Sequence, residues 1–158
     1  MDKIAFIDLD GVVANSVLRF EKATKNGKIN WGLVFHPPML GLDTLIPGAD
    51  AIIARLEEAN WTVIYLSSRP ERILEPSKKW LEKHGLDGHE IILRPAKKDG
   101  LKTPQWKASV VCRKGAPDGE TLFVDDEPEN TAAALELWQE KFGNNGLRVA
   151  STLSEISL

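Results

Sequence analysis

The hydrophobic pattern of the chain alternates short, continuous apolar runs with longer stretches of helical periodicity. The apolar runs lie at residues 4–7, 61–66, 90–93 and 121–124, with a short final one at 147–150. Most are rich in β-branched or aromatic residues and are followed by small or polar residues, which is typical of buried strands. The pattern therefore predicts five strands.

Helices are predicted between these runs. Residues 49–59 carry Ile52, Ile53 and Leu56 on one helical face. The other predicted helices run from about Pro76 to His84, from Thr103 to near Gly115, and from Pro128 through Phe142. Buried strands that alternate with helices imply parallel βαβ units with right-handed crossovers. The predicted fold class is therefore α/β: an open, three-layer, Rossmann-like parallel sheet.

One stretch, residues 11–47, interrupts this alternation and is too long for a simple connection. We predict a helix plus an irregular flap here, and count residues 14–46 as a small insert within one domain, 1–158. Trp31, Phe35 and His36 of this insert fit two interpretations. They stack a nucleobase or, as is commoner for such aromatics, they anchor the flap to the body.

Composition narrows the functional classes. The chain is 42% hydrophobic and 27% charged, has no apolar run of membrane-spanning length and begins without a signal-peptide pattern, so a cytoplasmic location is expected. The lone Cys112 excludes an internal disulfide and a cysteine-rich metal site. A net charge of −3 argues against bulk electrostatic capture of nucleic acid. A local run of basic residues from Lys97 to Lys114 forms either a basic rim or an ordinary solvated face.

Acidic and hydroxyl side chains follow three of the predicted strands. Asp8 and Asp10 follow the first strand, Ser67 the second, and the pair Asp125 and Asp126 the fourth. Ligands of open α/β sheets bind outside the carboxyl ends of the strands. Carboxylates gathered there would repel one another unless a cation lay among them. Oxygen ligands without histidine or cysteine favour Mg²⁺.

Asp8 and Asp10 are two residues apart, so their side chains start on the same side of an extended backbone. One can act as a nucleophile while the other handles a proton of the same substrate. Gly11 permits a turn and a close approach of backbone N–H groups to phosphate oxygens. The simpler interpretation is a strand-terminal turn, in which Asp and Gly are common.

These residues resemble the motifs of the haloacid dehalogenase superfamily in its phosphatase form. The segment from Phe6 to Val13 is similar to the first motif of that family, the segment from Val63 to Pro70 to the second, and the segment from Phe123 to Asp126 to the acidic fourth. The third motif is a lysine upstream of the last of these strands. Lys107 fits by its place in the helix, and Lys102 is the alternative.

The resemblance implies a role for each of these positions. Asp8 would attack phosphorus and form an aspartyl-phosphate, while Asp10 would protonate the leaving oxygen and then activate water. Mg²⁺ would be held by Asp8, the backbone carbonyl of Asp10 and Asp125. Asp126 would bind it through water or orient the other ligands.

The remaining catalytic positions would act on the phosphoryl group. Ser67 would hydrogen-bond a phosphoryl oxygen, and Lys107 would offset the negative charge of the equatorial oxygens.

Within the superfamily, the segments around Ser67 and Arg94 resemble the phosphatase domain of polynucleotide kinase-phosphatases. Gly11, Ser68, Arg69, Arg94 and Lys102 would then bind the substrate phosphate or its flanking groups. Alternatively, Arg69 simply caps, or pairs with Glu71 or another surface acid. The implied substrates are phosphorylated small molecules, nucleotides among them, or 3′-phosphorylated nucleic-acid ends; no membrane and no obligate protein partner is expected.

A second class of function is a non-catalytic phospho-acceptor or binding module like a response-regulator receiver. Receivers also combine acidic residues, a Ser or Thr and a Lys on a parallel sheet. Their order is different, because the acidic pair comes first and the acceptor Asp follows a middle strand. Here the middle strands end in Ser67 and in Leu93 and Arg94, which favours an enzyme.

Overall fold

The computed structural model describes residues 1–96 and 100–158. Its strands and helices follow in chain order, interspersed with short 3₁₀ turns: β1 (Lys3–Ile7), β2 (Ala14–Asn15), α1 (Val17–Lys22), β3 (Thr24–Lys25), β4 (Lys28–Ile29), α2 (Trp31–Val34), β5 (Thr44–Leu45), α3 (Ala49–Glu58), β6 (Thr62–Pro70), α4 (Leu74–Lys83), β7 (Glu90–Arg94), α5 (Thr103–Lys114), β8 (Glu120–Val124), α6 (Pro128–Phe142) and β9 (Leu147–Ala150).

The central sheet has five parallel strands in the order β7-β6-β1-β8-β9. Alternate residues of β1 face opposite sides of the sheet, as the two-residue period of a strand requires. Ala5 and Ile7 belong to the core under α3 and α4, whereas Phe6 belongs to the core under α5 and α6. The predicted three-layer α/β architecture is confirmed.

Two element boundaries differ from the sequence-based prediction. Strand β6 continues past Leu66 to Pro70, and its register against β7 shifts between these residues. The polar run that suggested a loop therefore lies on the strand itself. Helix α4 begins at Leu74 rather than Pro76, because proline is tolerated throughout a first helical turn, where its missing N–H would have no partner.

The insert between β1 and α3 is more regular than predicted. Strands β2 and β5 pair antiparallel at its base, and β3 and β4 form a hairpin. The hairpin turns at Asn26 and Gly27, both with positive φ (52° and 75°). Asn-Gly between two short strands is a strong sequence signal for such a turn; the prediction of an irregular flap overlooked it.

Four charged side chains, Arg19, Arg69, Asp10 and Asp43, join the insert to the sheet; we call them the arginine clamp. Arg19 Nε and Nη2 each donate to Asp43 at 3.0 Å, and Arg19 Nη2 also donates to Asp10 Oδ1. Arg69 Nε and Nη2 donate to the two oxygens of Asp10 at 3.0 and 2.7 Å. Both arginines are buried, with 0% and 1% exposure.

The remaining guanidinium nitrogens of the two clamp arginines also have hydrogen-bond acceptors. Arg69 Nη1 donates to Ser77 Oγ at 3.0 Å, and Arg19 Nη1 donates to the carbonyl of Val34 at 3.2 Å. A buried charge is tolerated only when its polar atoms are paired in this way. The clamp therefore fixes α1 and the end of β6 around Asp10.

None of the described helices is both long and apolar enough to span a bilayer. The cytoplasmic location stays a prediction.

We predict that Arg19→Leu lowers the free energy of unfolding by about 3–5 kcal/mol, because it leaves Asp10 and Asp43 buried with one cation between them. Chemical denaturation measures the change. Arg55→Leu is the matched control, since Arg55 is exposed on α3 and surface substitutions change stability by about 0.5 kcal/mol or less. Equal effects of the two substitutions would contradict the clamp's structural role.

Candidate active site

Three carboxylates meet at the carboxyl ends of β1 and β8. One oxygen from each of Asp8, Asp125 and Asp126 lies within 4.8 Å of the other two. Asp8 follows β1 directly and Asp125 follows β8 directly, and these strands are paired in register from Lys3 to Ile7. The sheet itself therefore brings the side chains together, as the sequence predicted for parallel strand ends.

The side chain of Lys107, on α5, contacts two carboxylates of this cluster. Its Nζ atom lies 3.2 Å from Asp8 Oδ1 and 2.6 Å from Asp125 Oδ2, and the side chain is buried. Burial opposes the charged ammonium, but Asp8 and Asp125 outweigh it and raise the pKa of Lys107. Of the two lysines considered from sequence, Lys107 is the one in the cluster; Lys102 is exposed just before α5 and is absent from the described cavity lining.

Asp125 is held in place by donors other than Lys107. The backbone N–H of Glu127 donates to Asp125 Oδ1 at 2.9 Å, and Asn130 Nδ2 lies 3.1 and 3.2 Å from its two oxygens. Asn130 is buried in the first turn of α6. Sequence reasoning missed it; its signal was a helix beginning immediately after an acidic pair, so that its first polar side chains face the strand end.

Asp126 is exposed and packs directly against Gly11. A Cβ atom on Gly11 would lie 2.1 Å from Asp126 Oδ2, and Gly11 has φ of +86°, which disfavours any other residue. A glycine at position 11 is thus needed for the Asp126 carboxylate to lie this close to the backbone. The sequence suggested a different reason, a close approach of backbone N–H groups to phosphate.

The carboxyl of Asp8 is strongly perturbed by its surroundings. Burial raises its pKa to about 8, Lys107 opposes this effect, and Asp125 adds to it. Burial and the charge of Asp125 also raise the pKa of Asp126. Anionic oxygens crowded in this way are suited to a divalent cation. Mg²⁺ holds oxygen ligands at roughly 2.0–2.1 Å, so ligands of one ion are at most about 4 Å apart.

Asp10 lies beside this cluster in a different electrostatic environment. Burial would raise the pKa of its carboxyl, but Arg69 and then Arg19 pull it below its usual value. The side chain is 21% exposed and lines the same cavity as Asp8. The two acids therefore lie in different environments: Asp8 belongs to the acidic cluster, whereas Asp10 is held by two arginines.

The hydroxyl residues at the end of β6 complete the polar part of the cavity. Ser67 is buried and Ser68 is exposed, and both line the cavity. The Oγ of Ser67 accepts a hydrogen bond from the backbone N–H of Arg69 at 3.1 Å. Among the described residues, no acceptor takes the Ser67 hydroxyl proton.

The two arginines expected at the substrate are engaged elsewhere. Arg69 belongs to the arginine clamp and is absent from the described lining of the cavity. Arg94 donates to the carbonyl of Leu101 at 2.8 Å and lies over the ring of Trp106, with Cζ 4.9 Å from its centroid. Arg69 does pair with acids, but these are the partly buried Asp10 and the buried Asp43 rather than Glu71 or another surface acid.

Arg19 and Asp43 were overlooked in the sequence. A signal existed for Arg19: it is the charged residue between Leu18 and Phe20 in a short helix. Nothing comparable marks Asp43, whose role depends on the fold of the insert.

The described residues of the basic run between Lys97 and Lys114 do not form a common rim around the cavity. Lys107 is buried in the site, and Lys114 pairs with Glu90 at 3.0 Å. Lys97 and Lys98 lie outside the described residues.

We predict that Gly11→Ala abolishes any activity of the site, because the new methyl group displaces Asp126. Gly48→Ala is the control: Gly48 has nearly the same φ, +83°, but nothing lies within 4 Å of its would-be Cβ. Both variants carry backbone strain of about 1–3 kcal/mol. Gly48→Ala should keep its turnover; a folded Gly11→Ala that also keeps wild-type turnover would show that the contact with Asp126 is unimportant.

Comparison with known proteins gives structural matches alone. No protein-family model matches the sequence, and no curated protein matches it. A chain of a Pnkp1/Rnl/Hen1 complex is similar in structure, with a TM-score of 0.64 and 18% identity over 95% of the present chain. That similarity covers 45% of the other chain, so the protein spans less than half the length of this neighbour.

Two further solved structures are similar over nearly their full lengths. A D,D-heptose 1,7-bisphosphate phosphatase from B. bronchiseptica, complexed with magnesium and phosphate, has a TM-score of 0.55 and 18% identity, covering 96% of this chain and 94% of that one. A haloacid dehalogenase-like family hydrolase from Streptococcus pneumoniae has a TM-score of 0.58 and 7% identity, covering 94% and 83%. The fold implied by the sequence resemblance is confirmed: the chain has the haloacid dehalogenase-like fold.

Proposed function

We propose that this protein is a Mg²⁺-dependent phosphomonoester hydrolase of the haloacid dehalogenase superfamily. The observation that carries the proposal is the convergence of Asp8, Asp125 and Asp126 within 4.8 Å, with Lys107 3.2 Å from Asp8. A carboxylate next to a fixed cation, among acids suited to a metal ion, is the arrangement that phosphoryl transfer through an aspartate needs.

In the first step, an Asp8 oxygen forms a bond to phosphorus as the bond from phosphorus to the leaving oxygen breaks. Asp10 donates a proton to the leaving oxygen. In the second step Asp10 takes a proton from water, which attacks the aspartyl-phosphate and releases phosphate and the free Asp8 carboxylate. Because the arginine clamp favours ionised Asp10, protonation of the leaving group is the more demanding of its two roles.

Lys107 and Ser67 act on the phosphoryl oxygens. The ammonium of Lys107, positioned by Asp8 and Asp125, offsets their negative charge. The Ser67 hydroxyl donates a hydrogen bond, since its oxygen already accepts one from Arg69 N–H. Both side chains are buried and therefore pre-oriented before a substrate arrives.

The acidic cluster fits Mg²⁺ by the chemistry of its donors. Asp8, Asp125 and the backbone carbonyl of Asp10 would hold the ion, with Asp126 binding it directly or through water. When bound, Mg²⁺ supplies charge that stabilises the phosphoryl group in the transition state and keeps the crowded carboxylates ionised.

Two structural neighbours support the choice of reaction and narrow the substrate. One is a phosphatase complexed with magnesium and phosphate. Another belongs to an RNA repair complex, which supports nucleotides or 3′-phosphorylated nucleic-acid ends as substrates. We propose a phosphorylated small molecule or such an end as the substrate, with no obligate protein partner.

We predict that the purified protein hydrolyses p-nitrophenyl phosphate with Mg²⁺, and that excess EDTA stops the reaction because the acidic cluster loses its ion.

Asp8→Asn is expected to fold normally and to show no turnover above background, since the nucleophile is lost. Release of p-nitrophenolate measures both effects. Asp50→Asn, the same change at an exposed acid of α3, is the control. Substantial turnover by folded Asp8→Asn would rule out the assignment.

We predict that Asp10→Asn slows turnover of an alkyl phosphate by about 10²–10⁴-fold, the usual contribution of general acid–base catalysis. Formation of the aspartyl-phosphate from p-nitrophenyl phosphate is expected to slow less, because its leaving group needs little protonation. Pre-steady-state kinetics separate the two steps. Equal slowing of this first step for both substrates would remove Asp10 from the acid role.

A further inference from the structure

Three aromatic residues of the insert line the cavity that contains Asp8. We call them the aromatic wall: Phe20, Trp31 and Phe35. The rings of Trp31 and Phe35 are stacked, with centroids 5.9 Å apart and planes inclined by 24°. Phe20 meets Trp31 edge to face, with centroids 6.1 Å apart. Trp31 is nevertheless 55% exposed. The wall therefore presents a large aromatic surface that the insert itself leaves uncovered.

The aromatic wall is fixed relative to the acidic residues by the arginine clamp. Phe20 directly follows Arg19, which donates to Asp10, and the Arg19 guanidinium lies 5.4 Å from the centroid of the Phe20 ring. Phe35 directly follows Val34, whose carbonyl accepts from Arg19 Nη1 at 3.2 Å. Phe20 is thus the neighbour of Arg19 in the chain, and Phe35 is the neighbour of a residue that Arg19 binds. A molecule with its phosphoryl group at Asp8 would have its other end directed toward these rings.

The size of the cavity leaves space for such a molecule. Its volume is about 1200 Å³, larger than the roughly 300–1,000 Å³ of most small-molecule sites. A phosphoryl group alone would occupy a small part of it.

Charge on the cavity lining limits what the other end of the molecule can be. Among the described lining residues, Lys107 is the single cationic side chain, and its contacts are with Asp8 and Asp125. The lining also contains Glu21, Glu127 and Glu129 in addition to the aspartates. A second phosphate next to the reacting one would meet these carboxylates, with no further cation among the described lining residues to pair with.

Resting on the proposed function, we propose that the substrate is a nucleoside monophosphate, with its single phosphate at Asp8 and its base stacked on Trp31. A base supplies a flat, uncharged π-face for the wall, and such stacking is tolerant of base identity. Hydrolysis consumes water and yields the nucleoside and inorganic phosphate. A phosphorylated end of a nucleic-acid chain fits less well, because its neighbouring phosphodiesters would lie among the glutamates.

The experiment compares kcat/KM for adenosine monophosphate, as the 5′ and the 3′ ester, with kcat/KM for glycerol 3-phosphate, which lacks a ring. Trp31→Leu is expected to lower the nucleotide-to-glycerol-phosphate ratio by about tenfold, the usual loss on removing one stacking partner. Trp31→Phe keeps a ring and should restore most of the ratio. Leu135→Ala is the control: Leu135 is 41% exposed on α6, is not among the cavity-lining residues, and its loss should leave the ratio unchanged.

A second readout does not depend on turnover. In the Asp8→Asn background, adenosine monophosphate should quench tryptophan fluorescence, and adding Trp31→Leu should remove that quenching. Thermal melting of each variant verifies that it is folded.

The outcomes separate the inference from the proposed function. If the wild-type protein hydrolyses none of these esters and no p-nitrophenyl phosphate, the proposed function fails and the inference fails with it. If it hydrolyses them but Trp31→Leu leaves the ratio unchanged, the inference alone is overturned. A 3′-phosphorylated oligonucleotide preferred over the mononucleotide by more than about tenfold, a difference in free energy of about 1.4 kcal/mol, would also overturn it.

Discussion

The mutual repulsion of buried carboxylates is the constraint around which this structure is organised. Asp8 and Asp125 leave adjacent parallel strands at the same edge of the sheet and cannot separate without breaking the pairing of β1 with β8. Lys107, with contacts of 3.2 and 2.6 Å, offsets part of their charge. Burial, and then the neighbouring carboxylates, still raise the pKa values of Asp8 and Asp126. A site with this imbalance favours a divalent cation and the anionic ligand that the cation attracts.

The arginine clamp neutralises a second group of buried charges, and it also joins the insert to Asp10 at the candidate site. Asp10 lies two residues from Asp8 but is surrounded by Arg19 and Arg69, which lower its pKa. Asp43 is needed because two buried guanidinium groups carry more charge than Asp10 can neutralise. Arg19, which together with Arg69 lowers the pKa of Asp10, also contacts the Phe20 ring and the carbonyl of Val34 beside the aromatic wall. Under the proposed function, Arg19 would therefore link proton handling at Asp10 to recognition of the leaving group.

Much of the sheet and its acidic edge could be predicted from the sequence, and the reason is visible in particular residues. Most of strand β1 is a continuous apolar run. The first polar residues after it are Asp8 and Asp10, so the sequence alone places these two acids at the strand end. Helix α6 was delimited by Pro128 and by the residues following Phe142, which the structure confirms. These features depend on local pattern and on the general rule for strand ends.

The parts that escaped prediction depend on contacts distant in sequence. Arg69 meets Asp10 across 59 positions and Asp43 across 26, and no local pattern encodes either pair. The hairpin at Asn26 and Gly27 was the exception, since its signal was local and was overlooked. The position of Lys107 rather than Lys102 follows from the orientation of α5 against the sheet, which the sequence periodicity left open.

The most direct test of the account is to locate the phosphoryl group during turnover. The wild-type protein, mixed with Mg²⁺ and p-nitrophenyl phosphate and quenched in acid, would be digested and analysed by mass spectrometry. The account predicts one phosphoryl group on the peptide that contains Asp8, and none on the same peptide of Asp8→Asn. A phosphoryl group on a different residue of an active protein would contradict it.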